Sequence, residues 1–221
     1  MIITIDGPAA SGKTTVSFSL AKKLSIYYIE SGLFYRALAY LLVNKGHYTI
    51  PALSDIKTTD IQKYTHAYHY AYDENGAHIF YEGKDIAPFL KTKDMDLYTS
   101  LIGETPQVRI IIEDMIRMLA QKHDVIIDGR DTGSVIFPNA DYKFYFTADL
   151  PIRAKRWQMD QARNGIIVNF AQAEKIVNER DERDEKRSAA PLCIPAGAHI
   201  IDTSRLTPEQ TLNACLSFIK K

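Results

Sequence analysis

Ile5-Asp6-Gly7-Pro8-Ala9-Ala10-Ser11-Gly12-Lys13-Thr14-Thr15 is the stretch whose reading decides the fold. It follows the apolar run Met1-Ile2-Ile3-Thr4-Ile5 and precedes Val16 to Leu24, where apolar residues recur at helical spacing. Gly7 to Thr14 therefore reads G-x-x-x-x-G-K-[ST] between a strand and a helix, the context that gives the motif its meaning. Gly7 and Gly12 lack a Cβ, so the backbone can wrap an anion closely. Successive N–H groups then point inward, and the positive end of the helix dipole adds to them. Residues Gly7, Pro8, Ala9, Ala10, Ser11, Gly12, Lys13, Thr14 and Thr15 are thus expected to bind a nucleoside triphosphate. Lys13 would reach its β- and γ-phosphates, and Thr14 or Thr15 would offer a hydroxyl to Mg²⁺.

Outward from this loop, strands and helices alternate. Ile26-Tyr27-Tyr28-Ile29 reads as a short buried strand, and Leu33 to Lys45 as a helix stopped by Gly46. Pro106 to Lys122 is helical, Val125-Ile126-Ile127-Asp128 is a buried strand ending in a carboxylate, and Tyr142 to Phe146 is another strand. Helices follow at Pro151 to Arg163 and Phe170 to Arg187, then a strand at Ala198 to Asp202 and a helix at Pro208 to Lys220. This order predicts an α/β fold of three layers, a central parallel sheet covered on both faces. Residues 47–95 interrupt it. Asn75-Gly76 and Glu82-Gly83-Lys84-Asp85 are turn signals around His78-Ile79-Phe80-Tyr81, so an insert with a small antiparallel sheet is expected. Tyr64, Tyr68, Tyr70 and Tyr72 could offer a base-stacking surface, but such a set reads better as a packing face.

Composition narrows the function. The 221 residues hold 27 Lys and Arg against 27 Asp and Glu, so no global field favours nucleic acid or a membrane surface. Cys193 and Cys215 lie far from any C-x-x-C spacing, which gives no disulfide framework or zinc site and suits a reducing compartment. The chain opens on its first strand and has no apolar run near the length of a membrane span. A soluble, cytoplasmic monomer acting on small molecules is expected.

Ligands of a parallel sheet sit at the carboxyl ends of its strands. Asp6, Glu30-Ser31, Asp128-Gly129-Arg130-Asp131 and Asp202 lie there. Asp128 ends its strand where P-loop proteins keep an acid for the Mg²⁺ shell. Arg36, Arg109, Arg130, Arg153, Arg156, Arg180, Arg183 and Arg187 fall in or beside these segments and the late charged helix. Phosphoryl transfer needs such positive charge, and guanidinium forks bind phosphate bidentately. Lys13, Arg130, Arg153 and Arg187 are the candidate catalytic cations. In Asn178 to Arg187, however, acids and bases are interleaved as on many solvated helices, and spacing alone favours salt bridging for most of them.

These stretches together resemble the bacterial cytidylate kinases, a family of P-loop nucleoside monophosphate kinases. The resemblance rests on Ile5 to Lys13, on Glu30-Ser31-Gly32-Leu33-Phe34-Tyr35-Arg36 and on Asp128-Gly129-Arg130-Asp131-Thr132-Gly133 with Val135-Ile136-Phe137-Pro138. It rests also on Glu179-Arg180-Asp181 through Asp184, Arg187 and Ala190-Pro191-Leu192. It implies ATP and Mg²⁺ as cofactors and CMP or dCMP as acceptor. It implies that Ser31, Arg36, Arg130 and Arg187 hold the acceptor phosphate, that Ser100, Arg109 and Asp131 face the cytosine, and that Arg180 and Asp184 meet the ribose. An arginine suits cytosine's O2 and N3, and a carboxylate suits its amine. Uracil would turn a carbonyl toward that carboxylate, a buried mismatch of about 1–3 kcal/mol or more. The implied organisation is a core of 1–46, 96–156 and 191–221, a monophosphate-binding insert at 47–95, and a mobile lid at 157–190. Three residues depart from the family pattern. Glu30 replaces the usual Asp, Lys91 a common Arg, and Trp157 a second Arg after Arg156. Trp157 would either stack on the adenine or pack the lid helix.

Overall fold

A computed structural model describes residues 1–90, 92–163 and 165–219; Lys91 lies outside them. In chain order the elements are β1 (Ile2–Asp6), α1 (Lys13–Leu24), β2 (Tyr27–Glu30), α2 (Ser31–Asn44), α3 (Thr58–Ala67), β3 (Tyr68–Asp73), β4 (Gly76–Tyr81), β5 (Lys84–Asp85), α4 (Lys93–Ile102) and α5 (Pro106–Ala120). They continue as β6 (Val125–Gly129), β7 (Tyr142–Thr147), α6 (Leu150–Arg163), α7 (Phe170–Lys186), β8 (His199–Asp202) and α8 (Pro208–Phe218). The chain divides into two compact units, Met1–Tyr28 with Asp124–Lys221, and Ile29–His123. Among the described residues no helix is long and apolar enough to cross a membrane.

The first unit is built on a five-stranded sheet of order β2-β6-β1-β7-β8. β1 runs parallel to β6 and to β7, and β7 runs parallel to β8. The register sets Ile5 beside Asp128 and Asp6 beside Gly129. The loops after β1 and β6 therefore leave the same edge of the sheet, which places the glycine-rich loop next to Arg130 and Asp131. Burial explains the strand assignments. β6 is buried along its whole length, as an apolar run in a sheet covered on both faces must be. α7 and α8 each open with a capping box, Asn169 with Gln172 and Thr207 with Gln210, which satisfies the first orphan amides.

The second unit has its own three-stranded antiparallel sheet, β3-β4-β5. β3 and β4 pair in the hairpin expected around Asn75-Gly76, and Glu82-Gly83 turns β4 into β5 with both residues at positive φ. The tyrosines pack. Tyr64, Tyr68 and Tyr70 are buried, and Phe34 stacks on Tyr70 with ring centroids 4.8 Å apart. Ile61, Tyr64 and Thr65 recur at helical spacing and are buried on one face of α3. α4, which sequence reasoning passed over, carries a buried Asp96 bonded to Arg36, and this acid blurs its apolar stripe.

Candidate active site

The glycine-rich loop is tightly turned. Gly7 is at φ 149, and a Cβ there would lie 2.1 Å from the Phe146 carbonyl oxygen, so no other residue fits. Gly12 is left-handed at φ 94 and turns the chain directly into α1. Lys13 starts that helix and is buried. Its Nζ donates to the Pro8 carbonyl at 2.7 Å and lies 3.4 Å from Ser11 Oγ. Burial holds its ammonium well below the ordinary lysine range; Arg130 lowers it further and Asp128 pulls it back. A polyanion in the loop would reverse that balance.

Thr14 Oγ1 donates to Asp128 Oδ2 at 2.8 Å. This joins the start of α1 to the end of β6 and sets two hard oxygen atoms side by side. Among the described residues no group of three or more His, Cys, Asp or Glu could hold a metal alone. The hydroxyl–carboxylate pair instead fits a cation such as Mg²⁺, which takes one or two protein oxygens and completes its shell from phosphate and water. Thr15 is exposed on the same turn.

Beyond β6, Arg130 and Arg187 stand in ion pairs. Arg130 Nε donates to Asp184 Oδ2 at 2.7 Å, and Arg187 Nη2 donates to Asp131 Oδ1 at 3.0 Å. Burial opposes the charges of this cluster, yet the guanidinium groups of Arg130, Arg180 and Arg187 hold the Asp184 carboxyl below its usual range. Arg130 in turn is raised by Asp184, against the same desolvation. Within α7 the exposed pair Lys186–Glu182 is of the kind expected of an interleaved, solvated helix, whereas Asp184 and the following Arg187 pair with Arg130 and Asp131 of the strand-end loop. Arg153, expected among the catalytic cations, bonds Asp181 and the carbonyls of Ala9 and Ala148. Trp157 is buried and packs with Ala9, Ala173 and Val177, which decides for packing rather than an exposed stacking face.

In the second unit, Ser31 is buried at the start of α2, and Arg36 donates to Asp96 at 2.5 Å and to the Leu90 carbonyl at 2.9 Å. Arg109 is buried, donates to Glu113 at 2.9 Å and lies against the Tyr35 ring. Ser100 is half-buried on α4. The Glu30 amide donates to Tyr70 Oη at 3.0 Å.

A family model described as "Cytidylate kinase" matches residues 3–221. The chain belongs to the cytidylate kinase family. A cytidylate kinase of Bordetella pertussis is 36% identical over 217 residues, covering 98% of this chain and 94% of that one. One of Caldanaerobacter subterraneus subsp. tengcongensis is 32% identical over 219 residues, covering 99% and 94%. A solved uncharacterized protein of Eubacterium ventriosum superposes with a TM-score of 0.52 at 14% identity, covering 99% and 98%, a likeness of fold.

Three residues of this site in the family fold were not assigned a role from the sequence. Asp6 accepts from the Thr132 amide and hydroxyl at 2.9 and 2.8 Å and from the Gly133 amide at 2.7 Å, so it shapes the turn after Arg130-Asp131. Asp181 bonds the Ala9 amide at 2.9 Å, and Thr203 bonds the Ser11 carbonyl at 2.9 Å. The only signal for Asp181 was its position three residues before Asp184, on one helix face. Thr203 carried none.

Proposed function

We propose that this chain transfers the γ-phosphoryl group of ATP to CMP or dCMP, giving ADP and CDP or dCDP. The observation that carries the reading is Arg130-Asp131 at the mouth of a buried strand, each in an ion pair with a partner near the end of α7, beside a P-loop whose lysine is held over its own loop. Family membership supplies the acceptor class.

An acceptor phosphate oxygen attacks the γ-phosphorus, the bond from that phosphorus to the β–γ bridging oxygen breaks, and the electron pair leaves on ADP. The acceptor phosphate is largely ionised at neutral pH, since its second pKa is about 6, so no general base is required. The chain's task is alignment and charge neutralisation. The loop amides and Lys13 would hold the donor phosphates, while Arg130 and Arg187 neutralise the transferring group. Ser31 and Arg36 would share the acceptor phosphate with those two arginines. Arg109, Ser100 and Asp131 would read the base, and Arg180 and Asp184 the ribose. Thr14, Thr15 and Asp128 would hold Mg²⁺, which supplies electrostatic stabilisation of the phosphates when bound.

Residues 47–95 would serve as the monophosphate-binding insert and 157–190 as a lid that excludes water. Trp157 and Asp181, seated on Ala9, would anchor that segment to the P-loop. We read the protein as a cytoplasmic monomer working on free nucleotides. Its balanced charge gives no field for nucleic acid.

The test is ADP release from ATP·Mg²⁺ with CMP, dCMP, UMP and AMP offered separately. High rates with CMP and dCMP and low rates with UMP and AMP are expected. ATP binding without acceptor-dependent ADP release would overturn the reading.

A further inference from the structure

One face of α6 holds the P-loop from outside. Arg153, Arg156 and Trp157 stand at i, i+3 and i+4, the spacing that gathers side chains on one side of a helix. Arg153 Nη1 donates to the Ala9 carbonyl at 3.2 Å and pairs with Asp181 Oδ2 of α7, while its Nε donates to the Ala148 carbonyl at 2.8 Å. Asp181 uses its other oxygen to accept from the Ala9 amide at 2.9 Å. Both backbone polar groups of Ala9 thus end on a single buried ion pair. Arg156 donates to Thr203 Oγ1 and to the Thr203 carbonyl at 3.0 and 2.7 Å, and Thr203 Oγ1 in turn bonds the Ser11 carbonyl. Trp157 covers Ala9 from the same face.

Between the two anchored residues stands Ala10 at φ 57. A left-handed conformation at a residue with a Cβ costs about 1–2 kcal/mol and persists only where its surroundings fix it. A P-loop works through the direction of its N–H groups, and those directions depend on the backbone angles of residues 9 to 12. A buried ion pair by itself is weak ground for a role in stability. Here the bonds beyond the pair run to the backbone of the loop.

We propose that Arg153 and Asp181 are positioning residues for the phosphate donor. Clamping Ala9 from both sides, they set the loop in its anion-receiving shape without touching the nucleotide. This rests on the P-loop being the ATP site.

The experiment compares wild type with Arg153→Lys, Asp181→Asn and Asp181→Ala, measuring ATP binding by calorimetry and KM for ATP and for CMP. Lysine keeps the charge but loses the fork that reaches Ala9, Ala148 and Asp181 together. Asparagine keeps an oxygen for the Ala9 amide but not the charge. Arg153→Lys and Asp181→Ala should weaken ATP binding tenfold or more, with KM for CMP within twofold of wild type and Asp181→Asn intermediate. Unchanged ATP affinity, or an equal loss for both substrates, would overturn the proposal. A second measurement needs no variant. The Ala9 amide of the ligand-free wild type should be strongly protected from hydrogen exchange, and a freely exchanging amide would also overturn it. Failure of the P-loop reading itself would show separately, as a wild type that binds no ATP.

Discussion

Arg187 Nη2 bonds Asp131 Oδ1 at 3.0 Å with both side chains buried, so the guanidinium proposed for the acceptor phosphate and the carboxylate proposed for cytosine share one bond. Asp131→Ala should therefore act twice. It leaves the Arg187 charge without this partner, and breaking a buried pair in that way costs about 3–5 kcal/mol. It also removes the acceptor for the cytosine amine, so the ratio of kcat/KM for CMP over UMP should fall about tenfold or more. Steady-state kinetics with both acceptors, beside a melting curve, check it. A preserved ratio in a destabilised variant would leave Asp131 a structural role only.

Lys13 illustrates the opposite case, a buried charge bonded to backbone and hydroxyl. Lys13→Met should lower kcat by about 100-fold or more, the scale seen when one preorganised donor to a transition state is lost. The ligand-free protein should melt close to wild type, because the lost bond to the Pro8 carbonyl is offset by relief of a desolvated ammonium. The rise in melting temperature that ATP gives to wild type should shrink sharply. Full activity in this variant would remove the P-loop from the mechanism.

What could be read from the sequence follows from what is local. Gly7 to Thr14 declared a strand, a loop and a helix, because each requirement, from the glycines to the lysine, falls within a few residues. Val125 to Ile127 declared a strand covered on both faces, because it is unbroken by polar residues. Pairings across the chain were not legible. Nothing near Arg153 points to Asp181, and nothing near Asp6 points to Thr132; both bonds exist only because the sheet register and α7 bring distant segments together. α4 escaped for a related reason. Its Asp96 looks like a surface acid until Arg36, sixty residues earlier in the chain, is seen to pair with it.

Packing was one of two readings open for Trp157 in the sequence, but its partners could not be read there. Its partners Ala173 and Val177 stand four apart on α7, small enough to receive an indole. Trp157→Ala should destabilise by about 3–5 kcal/mol, measured by urea denaturation. Trp157→Arg, the residue that the resemblance leads one to expect there, should not recover that loss, since it puts a charge where the neighbours are apolar. Equal stability of Trp157→Arg and wild type would mean that the pocket opens to solvent. Trp157 is the one tryptophan of the chain, so its emission reports on the contact directly. A blue-shifted maximum is expected in the native protein, moving to the red on unfolding.

Asp6 gives the sharpest pH prediction. Burial pushes its carboxyl up to about 6 from an ordinary 3.8, with Asp131 adding to the rise, while the bonds from Gly133 and Thr132 oppose it. The native state thus binds this proton more tightly than the unfolded chain. Its contribution to stability is fully present below about pH 4 and is lost as pH rises through about 6. At about 1.4 kcal/mol per unit, that contribution is about 3 kcal/mol. Carbon-detected NMR of the Asp6 carboxyl should show a midpoint near 6. Thr132→Val removes one donor to the ionised form while nearly keeping the volume, so the midpoint should move higher still. A midpoint near 4 in wild type would show that the three donors cancel the effect of burial. In that case the turn behind Arg130 and Asp131 is held by a full carboxylate charge at every pH where the enzyme works.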